Sequence, residues 1–182
     1  VPMDEFGEYH HNFNEEYFKN LDKKSAYSLG FFMADGNLYK RNNSYSIRFY
    51  QKTSDKYILE NIAKTIEYSG VVFDRKDKNL SELTLHSKKM YLDLLALGMT
   101  PAKSLTVFFP KIKEELYSEY IRGVLDGDGC LRIKEDRTIG VQFVGSIAHY
   151  EEMSKFLNKK LGIKRKKVYQ KQKYGILEYY NK

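Results

Sequence analysis

The sequence predicts an α+β protein of two similar αββαββα-like halves with antiparallel sheets, and three observations point to it. The run Ile121-Arg122-Gly123-Val124-Leu125-Asp126-Gly127-Asp128-Gly129 has a weaker upstream copy, Ser28-Leu29-Gly30-Phe31-Phe32-Met33-Ala34-Asp35-Gly36. Each copy reads as the end of a helix and is followed by strand-like runs and an amphipathic helix pattern. The two series also keep step. Asp35 and Asp128 stand 93 positions apart and Phe49 and Phe143 stand 94 apart, a near-constant offset that marks an internal duplication.

Residues 1–24, polar and aromatic through Tyr9, His10, His11, Phe13, Tyr17 and Phe18, read as an irregular arm packed on the body, with one short helix at 14–20. Adjacent His10 and His11 have no nearby Cys and lack the ligand spacing of a structural zinc site. The first half spans 25–98. Its first helix runs from Ser25, an N-cap candidate, to Asp35, with Gly36 as a C-cap glycine. Gly30 and Ala34 stand four apart on one face, where small residues let a second backbone approach. Strands follow at 37–41 and 44–51 about Asn42-Asn43. In the second, Tyr45, Ile47 and Phe49 face the core and Ser46, Arg48 and Tyr50 the opposite side. Thr53-Ser54-Asp55 caps a helix carrying Ile58, Leu59, Ile62, Ala63 and Ile66 at helical spacing, which closes at Ser69-Gly70. Strands at 71–76 and 80–86 turn at Lys78-Asn79, and a helix at 88–97 ends at Gly98.

Residues 99–113 hold two of the three prolines and no strong periodicity, and read as a linker. The second half, 114–182, repeats the order. A helix at 114–128 carries Gly123 and Gly127 on one face. Strands at 130–135 and 138–143 turn near Asp136-Arg137, a helix at 148–161 ends at Gly162, and strands follow at 164–171 and 174–180.

Thirty-one Lys and Arg against 24 Asp and Glu give a formal charge of +7 and a pI near 9.2, which favours a polyanionic partner without identifying it. With 42% hydrophobic residues and no long apolar run, no membrane association is expected. The single cysteine, Cys130, precludes an intramolecular disulfide, and the acidic Asp4, Glu5 and Glu8 are unlike a targeting signal. An intracellular site, in cytoplasm, nucleoid or organellar matrix, is expected. Sixteen tyrosines and no tryptophan leave both core packing and phosphate contact open to the aromatics.

Asp35 and Asp128 occupy the same place in the two copies, at helix C-termini where the macrodipole disfavours negative charge. Two carboxylates about 4 Å apart would repel by roughly 4 kcal/mol at an effective dielectric near 20. Such a pair calls for a cation, and hard oxygen donors suit Mg²⁺. By strand alternation the outward readout candidates are Tyr39, Arg41, Ser46, Arg48 and Tyr50 in the first half, and Arg132, Lys134, Thr138 and Gln142 in the second. Arg75, Lys76 and the run Lys164, Arg165, Lys166 and Lys167, with Lys171 and Lys173, supply phosphate-binding charge. A charge run is otherwise a solvated face.

The paired runs resemble the LAGLIDADG signature of homing endonucleases. Gly123, Asp126, Asp128 and Gly129 fall on the letters G, D, D and G, with Gly127 for the second A. The first copy keeps Gly30, Ala34, Asp35 and Gly36 but has Met33 for the first D. The resemblance extends to Asn12-Phe13-Asn14-Glu15-Glu16-Tyr17-Phe18, Lys23-Lys24-Ser25-Ala26-Tyr27, Pro101-Ala102-Lys103-Ser104 and Phe108-Phe109-Pro110. It implies a pseudo-twofold monomer with Gly30 and Gly123 packing the signature helices together and two sheets forming a saddle on double-stranded DNA. It also implies a site-specific double-strand endonuclease, encoded in an intron, an intein or a free-standing gene, using Mg²⁺ or Mn²⁺. Asp35 and Asp128 would be the metal ligands, each serving one strand, with the carbonyls of Ala34 and Gly127 completing the coordination. Gln51, Lys52 and Lys103 are the implied groups around the attacking water; Gly145 and Ser146 match the first two in the second half. Asp126, paired with Met33, is expected to brace its helix. The resemblance leads one to expect a further helix after the fourth strand, so the second half reads as incomplete. The alternative is a DNA- or RNA-binding protein that kept the fold without cutting, a transcription regulator or intron maturase. His86 and His149 read as structural.

Overall fold

Helix α1 (Lys23–Asp35) is the spine of the molecule, and Ser25, Ala26 and every residue from Ser28 to Ala34 are buried. A helix apolar on all sides must be covered on all sides. The computed structural model describes residues 11–101 and 106–181. The N-cap is Asp22 rather than Ser25. The Asp22 carboxylate accepts the Ser25 amide while the Ser25 hydroxyl, in the N3 position, accepts the Asp22 amide, a reciprocal capping box. Gly36 ends the helix in extended geometry, with φ −76°, not in the left-handed cap expected of it. Its missing side chain serves packing, because a Cβ would come within 1.9 Å of the Phe32 ring. Residues 15–20 form turns and a bend in place of the helix expected at 14–20. Their Tyr17 and Phe18 are buried in the core, and the Asn14 amide donates to the Ile66 carbonyl.

Strands β1 (Gly36–Arg41), β2 (Ser44–Lys52), β3 (Phe73–Arg75) and β4 (Leu80–His86) form an antiparallel sheet in the order β1-β2-β4-β3. The register pairs Leu38 with Ile47 and Phe49 with Leu83, so these apolar residues line one face. Phe32 of α1 packs its ring 4.7 Å from that of Phe49. Helix α2 (Lys56–Thr65) contributes Leu59, Ile62 and Ala63. It starts after a 3-10 turn (Thr53–Asp55) without a side-chain cap, and it closes earlier than expected, followed by Glu67 at φ 60°. Helix α3 (Lys88–Ala96), capped by Ser87, adds Met90, Tyr91 and Leu94. Each such side chain contributes about 1.5–3 kcal/mol on full burial. The third strand is shorter than the alternation predicts, and Asn79 takes the left-handed conformation that lets β4 begin.

The second half repeats this plan. Helix α4 (Tyr117–Asp128) leads into β5 (Gly129–Ile133) and β6 (Ile139–Gly145). Helix α5 (Ile147–Leu161) then leads into β7 (Tyr169–Lys171) and β8 (Tyr174–Tyr180), in the sheet order β5-β6-β8-β7. Gly129 pairs with Phe143 and Phe143 with Leu177, as Gly36 pairs with Phe49 and Phe49 with Leu83. Gly162 closes α5 at φ 63°. The strand expected from residue 164 starts only at Tyr169, so Lys164, Arg165, Lys166 and Lys167 lie on the connection between α5 and β7. Of the expected linker, Met99 and Val107 are buried, and the Ser146 hydroxyl that caps α5 donates to the Val107 carbonyl at 2.8 Å.

The halves differ on one face. Leu38 is 2% exposed, but Leu131 at the matching position is 72% exposed, and its neighbours Ile133 and Ile139 are also exposed. In the first half α3 closes this face, with the Tyr91 ring 5.1 Å from that of Tyr45. Among the described residues no helix follows β8. None of their helices is long and apolar enough to cross a membrane.

Candidate nucleic-acid interface and paired acids

The two signature helices touch backbone to backbone. A Cβ on Gly30 would lie 1.9 Å from the Tyr120 carbonyl oxygen, and one on Gly123 would lie 2.1 Å from that of Tyr27. One turn on, a Cβ on Gly127 would meet the Ala34 methyl at 2.4 Å. Only the small residues at these positions permit the approach, and each helix then delivers its acid beyond the contact. Asp35 ends α1 and Asp128 ends α4, both half-buried.

The buried Tyr150 of α5 donates its hydroxyl to Asp128 Oδ2 at 3.2 Å. Burial first, then the charge of Asp128 and this hydrogen bond, and last the charge of Asp35, hold the phenol protonated far above its ordinary range. One hydroxyl therefore senses both acids. Beside it lies a cleft of about 160 Å³ lined by Ala34, Asp128, Gly145, Ser146, His149 and Tyr150 among others. Ser146 is committed as a helix cap. His149 is buried with Nε2 2.6 Å from the Tyr120 hydroxyl, and burial lowers its pKa to about 3, so it is a neutral structural group. His86 is exposed at the end of β4, with Nδ1 3.3 Å from the Ser46 hydroxyl.

Asp126 accepts a hydrogen bond from the Tyr27 hydroxyl at 2.9 Å, tying α4 to α1. Burial, reinforced by this bond, raises the Tyr27 pKa well above its usual value. The Arg122 guanidinium covers the Tyr27 ring at 4.7 Å. Tyr27, Arg122 and Asp126 share a second cleft, about 580 Å³, with Gln51. Gln51 Oε1 accepts the Lys52 amide at 2.9 Å, and the Lys52 side chain is exposed. Lys103 lies outside the described residues.

Among the described residues no group of three or more His, Cys, Asp and Glu side chains is placed to hold a metal ion. A cation at the helix ends would rest on two carboxylates, with backbone or solvent oxygens making up its shell. That all-oxygen donor set fits a hard divalent ion of the Mg²⁺ or Mn²⁺ type and not a thiolate-seeking one.

The register sets Tyr39, Arg41, Ser46, Arg48 and Tyr50 on the sheet face opposite the apolar core residues. Arg48 lies over the Tyr39 ring at 4.7 Å, while Ser46 is buried. Arg75 is paired with Glu82 at 2.6 Å, and Lys76 is exposed on the adjoining 3-10 turn. Arg132 and Gln142 share the matching face of the second sheet, whereas Lys134 and Thr138 fall just beyond the ends of β5 and β6, where the Lys134 amide donates to the Thr138 carbonyl. Lys134 sits 3.8 Å over the Tyr180 ring, and Gln142 is buried between Arg132 and Glu178, bonded to both. Lys164, Arg165 and Lys167 are exposed, whereas the Lys166 backbone is bonded to the Ser154 hydroxyl. Sequence reasoning missed Tyr150, Tyr27 and Glu178. Alternation along 174–180 was the available signal for Glu178; nothing marks Tyr150 among sixteen tyrosines.

No family sequence model matches the chain, and no curated protein matches it in sequence. Solved structures do match. I-DmoI in complex with DNA and Mn is 20% identical, with 87% of this chain and 90% of that one covered and a TM-score of 0.62. The LAGLIDADG homing endonuclease I-LtrWI bound to target DNA is 11% identical over 92% and 80%, with a TM-score of 0.58. I-SmaMI bound to uncleaved DNA target in the presence of calcium ions is 10% identical over 89% and 80%, with a TM-score of 0.54. The chain is similar to these proteins in fold, and its fold is that of the single-chain LAGLIDADG homing endonucleases.

Proposed function

We propose that this chain, built on the LAGLIDADG fold, is a site-specific DNA endonuclease that hydrolyses both strands of a duplex with a divalent metal, acting as a monomer. One observation carries the reading. Two acids, one from each half, end a pair of helices held in backbone contact by Gly30, Gly123 and Gly127. A helix end is a poor place for a carboxylate, and two such ends together make sense as a cation site. The basic sheet faces on either side, and the neighbours solved on DNA, support duplex DNA as the substrate.

In this reading Asp35 and Asp128 hold the metal, with the Ala34 and Gly127 carbonyls beside them. When bound, the metal supplies Lewis acidity for activating water and stabilising the leaving oxygen. Tyr150 orients Asp128 through Oδ2 and, staying protonated, adds no charge to the pair. Gln51 and Lys52 are the candidates for ordering the attacking water, and Lys103 is retained as a third. Arg41, Lys76 and the exposed lysines before β7 neutralise phosphates, so binding should weaken steeply with salt.

The test is a cleavage selection on a randomised duplex library with Mg²⁺ or Mn²⁺, repeated with Asp35→Asn and Asp128→Asn. Cutting by the parent protein, and binding without cutting by both variants, is the expected result. Undiminished cutting by both variants overturns the metal assignment. Tight binding without cutting by the parent protein favours a regulator or maturase on the same fold.

A further inference from the structure

The second sheet carries a side-chain relay that is not repeated at the matched positions of the first. Arg132 Nε and Nη2 both donate to Gln142 Oε1, at 3.2 and 2.5 Å, and Gln142 Nε2 donates to Glu178 Oε1. Cys130 pairs with Gln142 and Gln142 with Glu178 across β5, β6 and β8, so the three side chains stand on one face. Gln142 is only 7% exposed and both ends of its amide are used. Burial and these two partners withdraw it from the reading surface. Arg132 is exposed at the outer end of the relay.

A guanidinium carries five N–H donors in a fixed plane. Holding the Nε–Nη2 edge against Gln142 orients that plane and leaves the terminal Nη1–Nη2 fork pointing away from the relay. Among the described residues Arg132 has no other hydrogen bond or ion pair. A preoriented fork on a sheet laid in the major groove matches the O6 and N7 acceptors of guanine. Glu178 holds the far end of Gln142, so less side-chain entropy remains to be lost when Arg132 binds.

The matched positions of the first half are Tyr39, Arg48 and Thr84. There the arginine stands at the central strand and stacks on the tyrosine, and the arginine that this sheet anchors is Arg75 at the opposite edge, where Nε donates to Glu82. We propose that Arg132, positioned by Gln142 and Glu178, reads a guanine in the half-site under the second sheet, and that Tyr39, at the matched position of the first sheet, makes no equivalent contact.

This rests on the DNA-binding part of the proposed function. The experiment is a binding selection from a randomised duplex pool, in chelator so that no strand is cut, with the parent protein, Arg132→Lys and Gln142→Met. The parent should enrich one guanine that Arg132→Lys loses by roughly ten- to a hundredfold, with other positions and the salt slope unchanged, because lysine keeps the charge but not the fork. Gln142→Met should loosen the same position by a smaller factor; its thermal melting is compared with the parent's to confirm folding. Unchanged enrichment in Arg132→Lys makes Arg132 a phosphate contact and overturns the proposal, as does a parent site with no guanine sensitive to it. Binding with the guanine preference but no cutting once metal is added sinks the endonuclease reading and leaves the relay standing. No DNA binding at all sinks both.

Discussion

Gly30 of α1 lies against the carbonyl oxygen of Tyr120 on α4, so close that a built methyl group would come within 1.9 Å of it. The reciprocal contact of Gly123 with the Tyr27 carbonyl makes the two halves one unit and sets where Asp35 and Asp128 end.

Gly30→Ala and Gly123→Ala should therefore each destabilise the protein by about 1–3 kcal/mol or more, since the obstacle is backbone and cannot rotate aside. In a chain of this size each kcal/mol lowers the melting temperature by about 2–4 °C. Gly162→Ala serves as a control: it carries only left-handed strain, with nothing within 4 Å of its built Cβ, and should cost about 1 kcal/mol. Thermal unfolding of the three variants would contradict the close-contact account if Gly162→Ala proved the most damaging.

Leu38 and Leu131 occupy matched positions with opposite burial. Leu38→Ala should cost about 2–5 kcal/mol by leaving a cavity beside Ile47 in the core. Leu131→Ala, on a face that no described element covers, should stay within about 0.5 kcal/mol. Urea midpoints of the two variants measure the difference, and equal losses would mean that the second face is covered in solution.

His149 gives stability a pH dependence. In the unfolded chain it takes up a proton below about pH 6.5, whereas in the fold burial holds its pKa at about 3. The unfolded state binds more protons between these values. The contribution is therefore complete above pH 6.5 and is lost as pH falls toward 3, at up to about 1.4 kcal/mol per pH unit. His149→Gln has no such proton to take up and should flatten this part of the profile relative to the parent. Parallel profiles from denaturant titrations at pH 4 to 7 would refute the assignment.

Local patterning was enough to read the duplication, the strand faces and the acids. Period-two alternation dictates that Ile47 and Phe49 face one way and Arg48 and Tyr50 the other, whatever lies across the sheet. Small residues four apart in both nonapeptides likewise announce a helix contact before any partner is known. Other features were settled only when distant segments met. Gly36 is required by the Phe32 ring and not by a left-handed turn. Tyr150 reaches Asp128 from a helix 22 residues on, and Gln142 is taken from the reading surface by Glu178, 36 residues away. Leu131 has the residue type of a core position and none of its burial. Periodicity governs which way a side chain points, but what it touches depends on the packing of elements far apart in the chain, and that is carried by tertiary structure alone.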